Sequence, residues 1–325
     1  MRKAERTFEK LMELQKKQLN GIFGKDYQAA QKATVSEAPN VSSAVILYST
    51  KLEREVHLMS KGEFKAVLLA LYNDRLFEVH EQKLLSMDPD LHPLQMHPRN
   101  QVEELPHLVG TIAVAKEMGK LNKHYTYIKK VSEDKSQWNV RYWPYVGDLL
   151  LYLEDEVGPY CVNWTVKNTK QAFHRKGGLS SKPRPKNYKE PELQFRLEVE
   201  ETYYRSAGIR TQQISSDELD REVCANLREL VHWQPRDVPI DEHMRKEIED
   251  ELKQVVGTDE IAYIAIKRIA RLFQVDPKSV VEPILKKGVW ERRIRVDLFS
   301  PLLMDSPLKK ETRDVLVVYS KLFER

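Results

Sequence analysis

Two apolar runs, Leu149-Leu150-Leu151-Tyr152-Leu153 and Tyr160 to Val166, flank the segment Glu154-Asp155-Glu156-Val157-Gly158-Pro159, and no other stretch constrains the fold as tightly. The polar, glycine- and proline-bearing connection reads as a hairpin turn, so the runs become adjacent strands. Asp148 opens the first run and Lys167 closes the second. A hairpin therefore brings this acid and this lysine to the same end of one sheet. Because side chains alternate along a strand, Thr165 and Lys167 share a face and Val166 takes the other.

The segments around the hairpin extend an α/β pattern. Gly62 to Asn73 reads as a helix with Phe64, Val67, Leu68 and Leu71 on the face turned to a sheet. Glu63 stands at its start, where the helix dipole favours a carboxylate, so a capping surface acid is one reading of it. The strand expected over Leu76 to Leu84 returns Glu81-Gln82 beside that helix start. Residues 1 to 33 carry Phe8, Leu11, Met12 and Leu19 at near-helical spacing, which predicts an outer amphipathic helix or an arm for a partner or DNA. Further strands are expected at Val45 to Tyr48, Tyr125 to Val131, Trp138 to Tyr142 and Ile209 to Ile214. A helix from Glu190 to Ala207 should stop at Gly208; its Glu200 and Glu201 read as a solvated face, with an orienting contact to Lys167 as the alternative.

From Lys167 to Lys189 the chain carries eight Lys or Arg and no acid, interrupted by Gly177-Gly178 and Pro183-Arg184-Pro185. Lys170, Arg175, Lys176, Lys182, Arg184 and Lys186 could follow a phosphate backbone; a plain surface linker is the other reading. Beyond Pro235 three helical stretches, Asp241 to Val256, Thr258 to Phe273 and Pro277 to Lys287, have the spacing of a helix-turn-helix. After them Arg292-Arg293-Ile294-Arg295-Val296-Asp297-Leu298 alternates like a strand with Arg292, Arg293 and Arg295 on it, as in the wing of a winged helix that meets DNA or a protein.

With 325 residues, 41% hydrophobic and 31% charged, the chain is long enough for about two ordinary domains. No apolar stretch approaches the roughly 20 residues of a membrane span, and Met1-Arg2-Lys3-Ala4-Glu5 begins without an apolar signal region. No membrane association is expected, and the expected place is the cytoplasm. Cys161 and Cys224 are too few and too far apart for a zinc site or a disulfide framework.

Acid, hairpin and lysine in this order resemble the PD-(D/E)XK nuclease core, and the order of five segments resembles the TnsA-type endonuclease subunit of heteromeric transposases. Those segments are Ser60 to Phe64, Phe77-Glu78-Val79-His80-Glu81-Gln82, Tyr145-Val146-Gly147-Asp148, Tyr160 to Lys167 and Leu197 to Ile214. The chain departs from the family in having Thr165 where a Gln or an acid usually precedes the lysine, and Val146-Gly147 and Leu149 around the acid. The resemblance implies a restriction-endonuclease-like mixed sheet flanked by helices, followed by a winged-helix C-terminal domain: an N-terminal arm over 1–40, a nuclease domain over 41–234 and a DNA- or partner-binding domain over 235–325.

It further implies a bacterial endonuclease that cuts the 5′ strands at double-stranded transposon ends, beside a TnsB-like DDE transposase and a TnsC-like ATPase regulator. Glu63, Asp148 and Lys167 would be catalytic. Mg²⁺, with Mn²⁺ as a substitute, would be held by Glu63, Asp148 and the carbonyl of Val166, supported by Glu81, Gln82 and Thr165. A stand-alone restriction or resolvase-like nuclease and a DNA-binding scaffold with a decayed site are the alternatives.

Overall fold

A computed structural model describes residues 7–19, 21–38, 43–130, 138–173 and 193–325. By its internal contacts the chain divides into two compact units. The first takes in the chain up to Ala66, Arg75–Glu218 and Glu324–Arg325; the second holds Val67–Asp74 and Leu219–Phe323.

The first unit is a mixed α/β structure. In chain order it carries α1 (Phe8–Lys17), the hairpin β1 (Val45–Ser49) and β2 (Arg54–Leu58), the start of α2 (Lys61–Tyr72), and β3 (Leu76–Glu81). Then come α3 (Thr111–Glu117), the pair β4 (Thr126–Lys130) and β5 (Trp138–Tyr142), β6 (Leu149–Asp155), β7 (Gly158–Lys167), α4 (Leu193–Arg205) and β8 (Arg210–Ser215). Its main sheet has the order β3-β6-β7-β8, antiparallel except where β8 runs parallel to β7. A parallel neighbour cannot be reached by a tight turn, and α4 lies in the crossover.

The two apolar runs form the centre of that sheet in the expected hairpin register, Asp155 opposite Gly158 and Leu149 opposite Trp164. Leu150, Tyr152 and Cys161 point to one face and pack with Phe195, Val199 and Tyr203 of α4 into the core. Leu149 to Leu153 are buried throughout, which is why the run lacks the polar alternation of a half-exposed strand. Gly208, at φ +72°, ends α4 with the left-handed residue expected of a C-cap. The N-terminal helix is held to the sheet edge: the Gln18 amide donates to the Gln82 carbonyl at 3.1 Å, and its oxygen accepts from Leu84 N at 2.7 Å.

The second unit is helical, with α5 (Arg221–Val231), α6 (Glu242–Val255), α7 (Ala262–Leu272), α8 (Glu282–Trp290) and the short α9 (Val315–Val318). Helix α5 belongs here rather than with the sheet, so the division falls after Glu218 and not at Gln234. Asn226 on α5 explains this, because its side-chain amide donates to the carbonyls of Leu298 and Ser300, both at 2.9 Å. The strand expected over Arg292 to Leu298 does not form. Ile294, Val296 and Leu298 are buried in alternation, but Arg292 sits at φ 62° and a single bridge, Val296 to Lys310, gives the segment no ladder to extend. Among the described residues no helix is long and apolar enough to cross a membrane.

Candidate active site

Glu63 is placed by a reciprocal cap at the start of α2. Its backbone N–H donates to Ser60 Oγ at 3.1 Å, and the Ser60 hydroxyl returns a bond to Glu63 Oε1 at 3.0 Å. Met59 N and the Gln82 amide both donate to Glu63 Oε2, at 2.8 and 3.0 Å. The capping role is therefore present, yet the side chain is only 6% exposed, which a surface cap would not be. Gly62 lets the helix start come close to the ends of β7 and β8: a Cβ there would stand 2.8 Å from Asn168 Oδ1 and 3.2 Å from Ser216 Oγ.

Asp148 and Lys167 meet at one end of the central hairpin. Asp148 Oδ2 accepts from Val166 N at 2.7 Å and from the Lys167 ammonium at 3.3 Å, and that ammonium also donates to the Val166 carbonyl at 2.8 Å. Gln82 links the two halves of the site. Its backbone N–H donates to the Asp148 carbonyl at 3.0 Å from a left-handed conformation, φ 49°, while its amide reaches Glu63. Burial, and then the negative charge of Asp148, raise the Glu63 carboxyl to about 7. Two carboxylates close enough to oppose each other's ionisation are what a bound cation relieves.

Glu200 belongs to this neighbourhood and does not lie on a solvated face. It is buried, whereas Glu201 is exposed. Glu200 Oε1 accepts from Thr165 Oγ1 and from the Asn163 amide, both at 3.0 Å, so Thr165 is turned to α4 by this carboxylate. Burial raises the Glu200 carboxyl against the opposing charge of the Arg196 guanidinium, and Asp148 adds to the rise. The available signal was helical spacing: Glu200 lies four residues before buried Tyr204 and one after buried Val199, inside the apolar stripe of α4.

Glu81 is not brought into the site. Its carboxylate is fully buried against Arg54 at 2.8 Å and accepts from His57 N at 3.1 Å. Glu81 is the last residue of β3 and turns to Arg54, whereas Gln82 follows the strand in a left-handed conformation that carries its amide to Glu63.

Of the expected phosphate contacts, Arg175, Lys176, Lys182, Arg184 and Lys186 lie outside the described residues. Lys170 is exposed and paired with Glu218 at 3.2 Å. In the second unit Arg292 pairs with Asp314 at 2.8 Å, Arg293 with Glu249 at 2.8 Å and with Glu291, and Arg295 with Glu311 and Asp314, each at 2.6 Å. Helix α8 is buried from Pro283 to Trp290 except at Lys287. A helix covered in this way offers no face to a major groove.

No group of three or more His, Cys, Asp or Glu gathers at metal-binding separations among the described residues. The set at Glu63 and Asp148 is of another kind, two carboxylates beside the Val166 carbonyl. It fits Mg²⁺, which takes hard oxygens, keeps several waters and needs only one or two carboxylates. Asp148 Oδ2 is committed to Val166 N and Lys167, and no bond to Oδ1 occurs among the described residues. In comparison with known proteins, no family model matches the chain and no curated protein is similar to it.

Proposed function

We propose that this chain is a Mg²⁺-dependent DNA endonuclease of the TnsA type, with a restriction-endonuclease-like nuclease fold followed by a winged-helix unit. It would cut the 5′ strands at transposon ends, while a TnsB-like DDE transposase cuts the other strands and a TnsC-like ATPase regulates both. The observation that carries this reading is the convergence of Glu63, Asp148 and Lys167, with the lysine ammonium 3.3 Å from one carboxylate and the other carboxyl held up to about 7. The order β3-β6-β7-β8 with a helix in the last crossover supports it.

Bound Mg²⁺ supplies positive charge to the phosphate and to the leaving oxygen. Glu63, Asp148 and the Val166 carbonyl would hold it. The Lys167 ammonium, a compact point charge with three donors, would orient the attacking water and oppose the charge developing on the phosphate. Gln82 holds Glu63 in place through its amide. In the second unit, burial of α8 and internal pairing of Arg292, Arg293 and Arg295 favour a protein partner such as the ATPase over base reading.

A nuclease with few base-reading groups has to borrow its selectivity. The test is a nicking assay on transposon-end DNA with Mg²⁺, with and without a DDE transposase encoded beside this chain. Cutting that appears only with the transposase supports the proposal. Efficient site-specific cutting of both strands by this chain alone would reassign it as a stand-alone nuclease, and DNA binding without metal-dependent nicking in either arm would make it a scaffold.

A further inference from the structure

Beyond β3 the chain runs on beside Tyr145 to Asp148. Gln82 N–H donates to the Asp148 carbonyl at 3.0 Å, Gly147 N–H to the Lys83 carbonyl at 2.7 Å and Leu85 N–H to the Tyr145 carbonyl at 3.0 Å. β3 is the outermost strand of its sheet, so among the described residues no strand pairs with the other edge of this continuation. A side chain closes that edge instead. Gln18, at the end of α1 and only 9% exposed, donates its amide to the Gln82 carbonyl at 3.1 Å and accepts from Leu84 N at 2.7 Å. A peptide group of a neighbouring strand would pair in the same way.

The grip falls on a residue with an unusual backbone. In a regular strand the N–H and C=O of one residue point to the same edge, but Gln82, at φ 49°, sends its N–H to Asp148 and its C=O to Gln18. A residue with a side chain keeps such a conformation only where its surroundings hold it. Here the holders are the Asp148 carbonyl on one side and, on the other, Gln18 and Ala30 N, which donates to the same Gln82 carbonyl at 3.2 Å. The Gln18 amide is itself fixed, its nitrogen lying 2.9 Å from the Tyr27 hydroxyl and 3.0 Å from the Gln28 carbonyl. Held in this way, Gln82 places its own amide on Glu63 Oε2.

We propose that Gln18 is a positioning residue of the active site: by fixing the Gln82 backbone it keeps the Gln82 amide on Glu63, and the metal affinity of the site depends on it. The inference rests on the metal-dependent nuclease reading and gives the N-terminal arm a part in it. Without Gln18, Leu84 N loses its acceptor and Gln82 is free to relax to an ordinary backbone, which carries its amide away from Glu63.

The test is titration of the full chain with Mn²⁺, bound metal being read from the loss of the free-ion electron paramagnetic resonance signal. Gln82→Ala should weaken the site that Asp148→Ala removes by about tenfold or more, and Gln18→Met by a similar factor, as is usual for groups that orient a metal ligand. Added to Gln82→Ala, Gln18→Met should change the affinity by less than about twofold, because both act through one contact. Leu14→Ala removes a buried apolar anchor of α1 and leaves these hydrogen bonds in place; it should lower the melting temperature without moving the affinity. If Gln18→Met does not fold, Gln18→Ala takes its place. An affinity that the Gln18 variant leaves unchanged, a loss that persists in full beside Gln82→Ala, or an equal loss in Leu14→Ala would overturn the inference and leave the nuclease reading standing. Absence of Mn²⁺ binding that depends on Asp148 would remove the nuclease reading and this inference with it.

Discussion

Glu63 and Asp148 in the first unit oppose each other with one ammonium near them, whereas in the second unit Asp314 is gripped by Arg292 at 2.8 Å and Arg295 at 2.6 Å. Burial acts upward on Asp314, but the hydrogen bonds from the two arginines hold its carboxyl well below the usual carboxylate range. Glu63 moves the other way, to about 7. Glu249, also buried, is likewise matched by Arg293. The carboxylates of the second unit are matched by arginines at ion-pairing distance; at the candidate active site Asp148 has the Lys167 ammonium and feels the Arg196 guanidinium, while Glu63 accepts only from the neutral donors Met59 N, Ser60 Oγ and the Gln82 amide. A carboxyl held up by burial and a like charge is one that a bound cation would favour in its ionised form.

The strongest way to break this contrast is to remove the opposed carboxylates. Asp148→Ala or Glu63→Ala should lower metal-dependent nicking by about 10³-fold or more, since a lost Mg²⁺ ligand removes several kcal/mol of transition-state stabilisation. Both variants should still fold, as followed by circular dichroism. Near-normal nicking by Asp148→Ala in Mg²⁺ would remove the carboxylates from the mechanism.

Removing a fully compensated carboxylate should have the opposite profile. Asp314→Asn strands Arg292 and Arg295 and should cost about 2 kcal/mol of stability, scaled down for partial exposure from the cost of breaking a buried pair. Because folding depresses this carboxyl, its contribution is fully present above its unfolded value of 3.8 and lost as pH falls through the folded one. Urea unfolding at pH 7 and at pH 3 should show the gap between wild type and variant narrowing in acid. A gap independent of pH would assign the effect to packing.

The central hairpin, α1 and the end of α4 were legible because their information is local: a turn between two apolar runs, apolar spacing along one helix, and a glycine stop. Helix α2 is buried on every side from Ala66 to Tyr72, more than the single sheet-facing stripe expected of it. Glu81 was legible as a neighbour of the site but not in its direction, since its partner Arg54 comes from 27 residues earlier. The same limit hid the arginines after α8. Their alternation with Ile294, Val296 and Leu298 reads as a strand with a basic face, and only Glu249, Glu311 and Asp314, distant in sequence, show that the charges are used internally. Glu200 reads as solvated because a helix carboxylate is ordinarily exposed, although its place in the apolar stripe of α4 points inward. Its acceptance of bonds from Thr165 and Asn163 is a tertiary fact.

A smaller effect sharpens the contrast at Glu63. Since folding raises this carboxyl from 4.5 to about 7, its neutral form contributes stability that is present below 4.5 and lost as pH rises through about 7. Glu63→Gln, which stays neutral, should therefore gain about 1 kcal/mol relative to wild type between pH 5 and pH 8, the full shift being discounted for coupling to Asp148. Thermal unfolding at the two pH values, without divalent metal, measures it. A variant that gains nothing at pH 8 would show that Glu63 ionises at little cost.

The smallest expected effect on stability, and one that separates folding from binding, is at Lys170. Its pair with Glu218 joins two side chains that are 73% and 55% exposed, so the ion pair gains little over water and is screened by salt. Lys170→Ala should leave the melting temperature unchanged. If its ammonium meets a phosphate when DNA binds, the same variant should reduce the slope of log affinity against log salt by about 0.9. Fluorescence anisotropy with duplex DNA over a salt series measures that slope. An unchanged slope would take Lys170 out of the DNA interface and leave the phosphate contacts of the nuclease reading to the remaining basic residues of that segment.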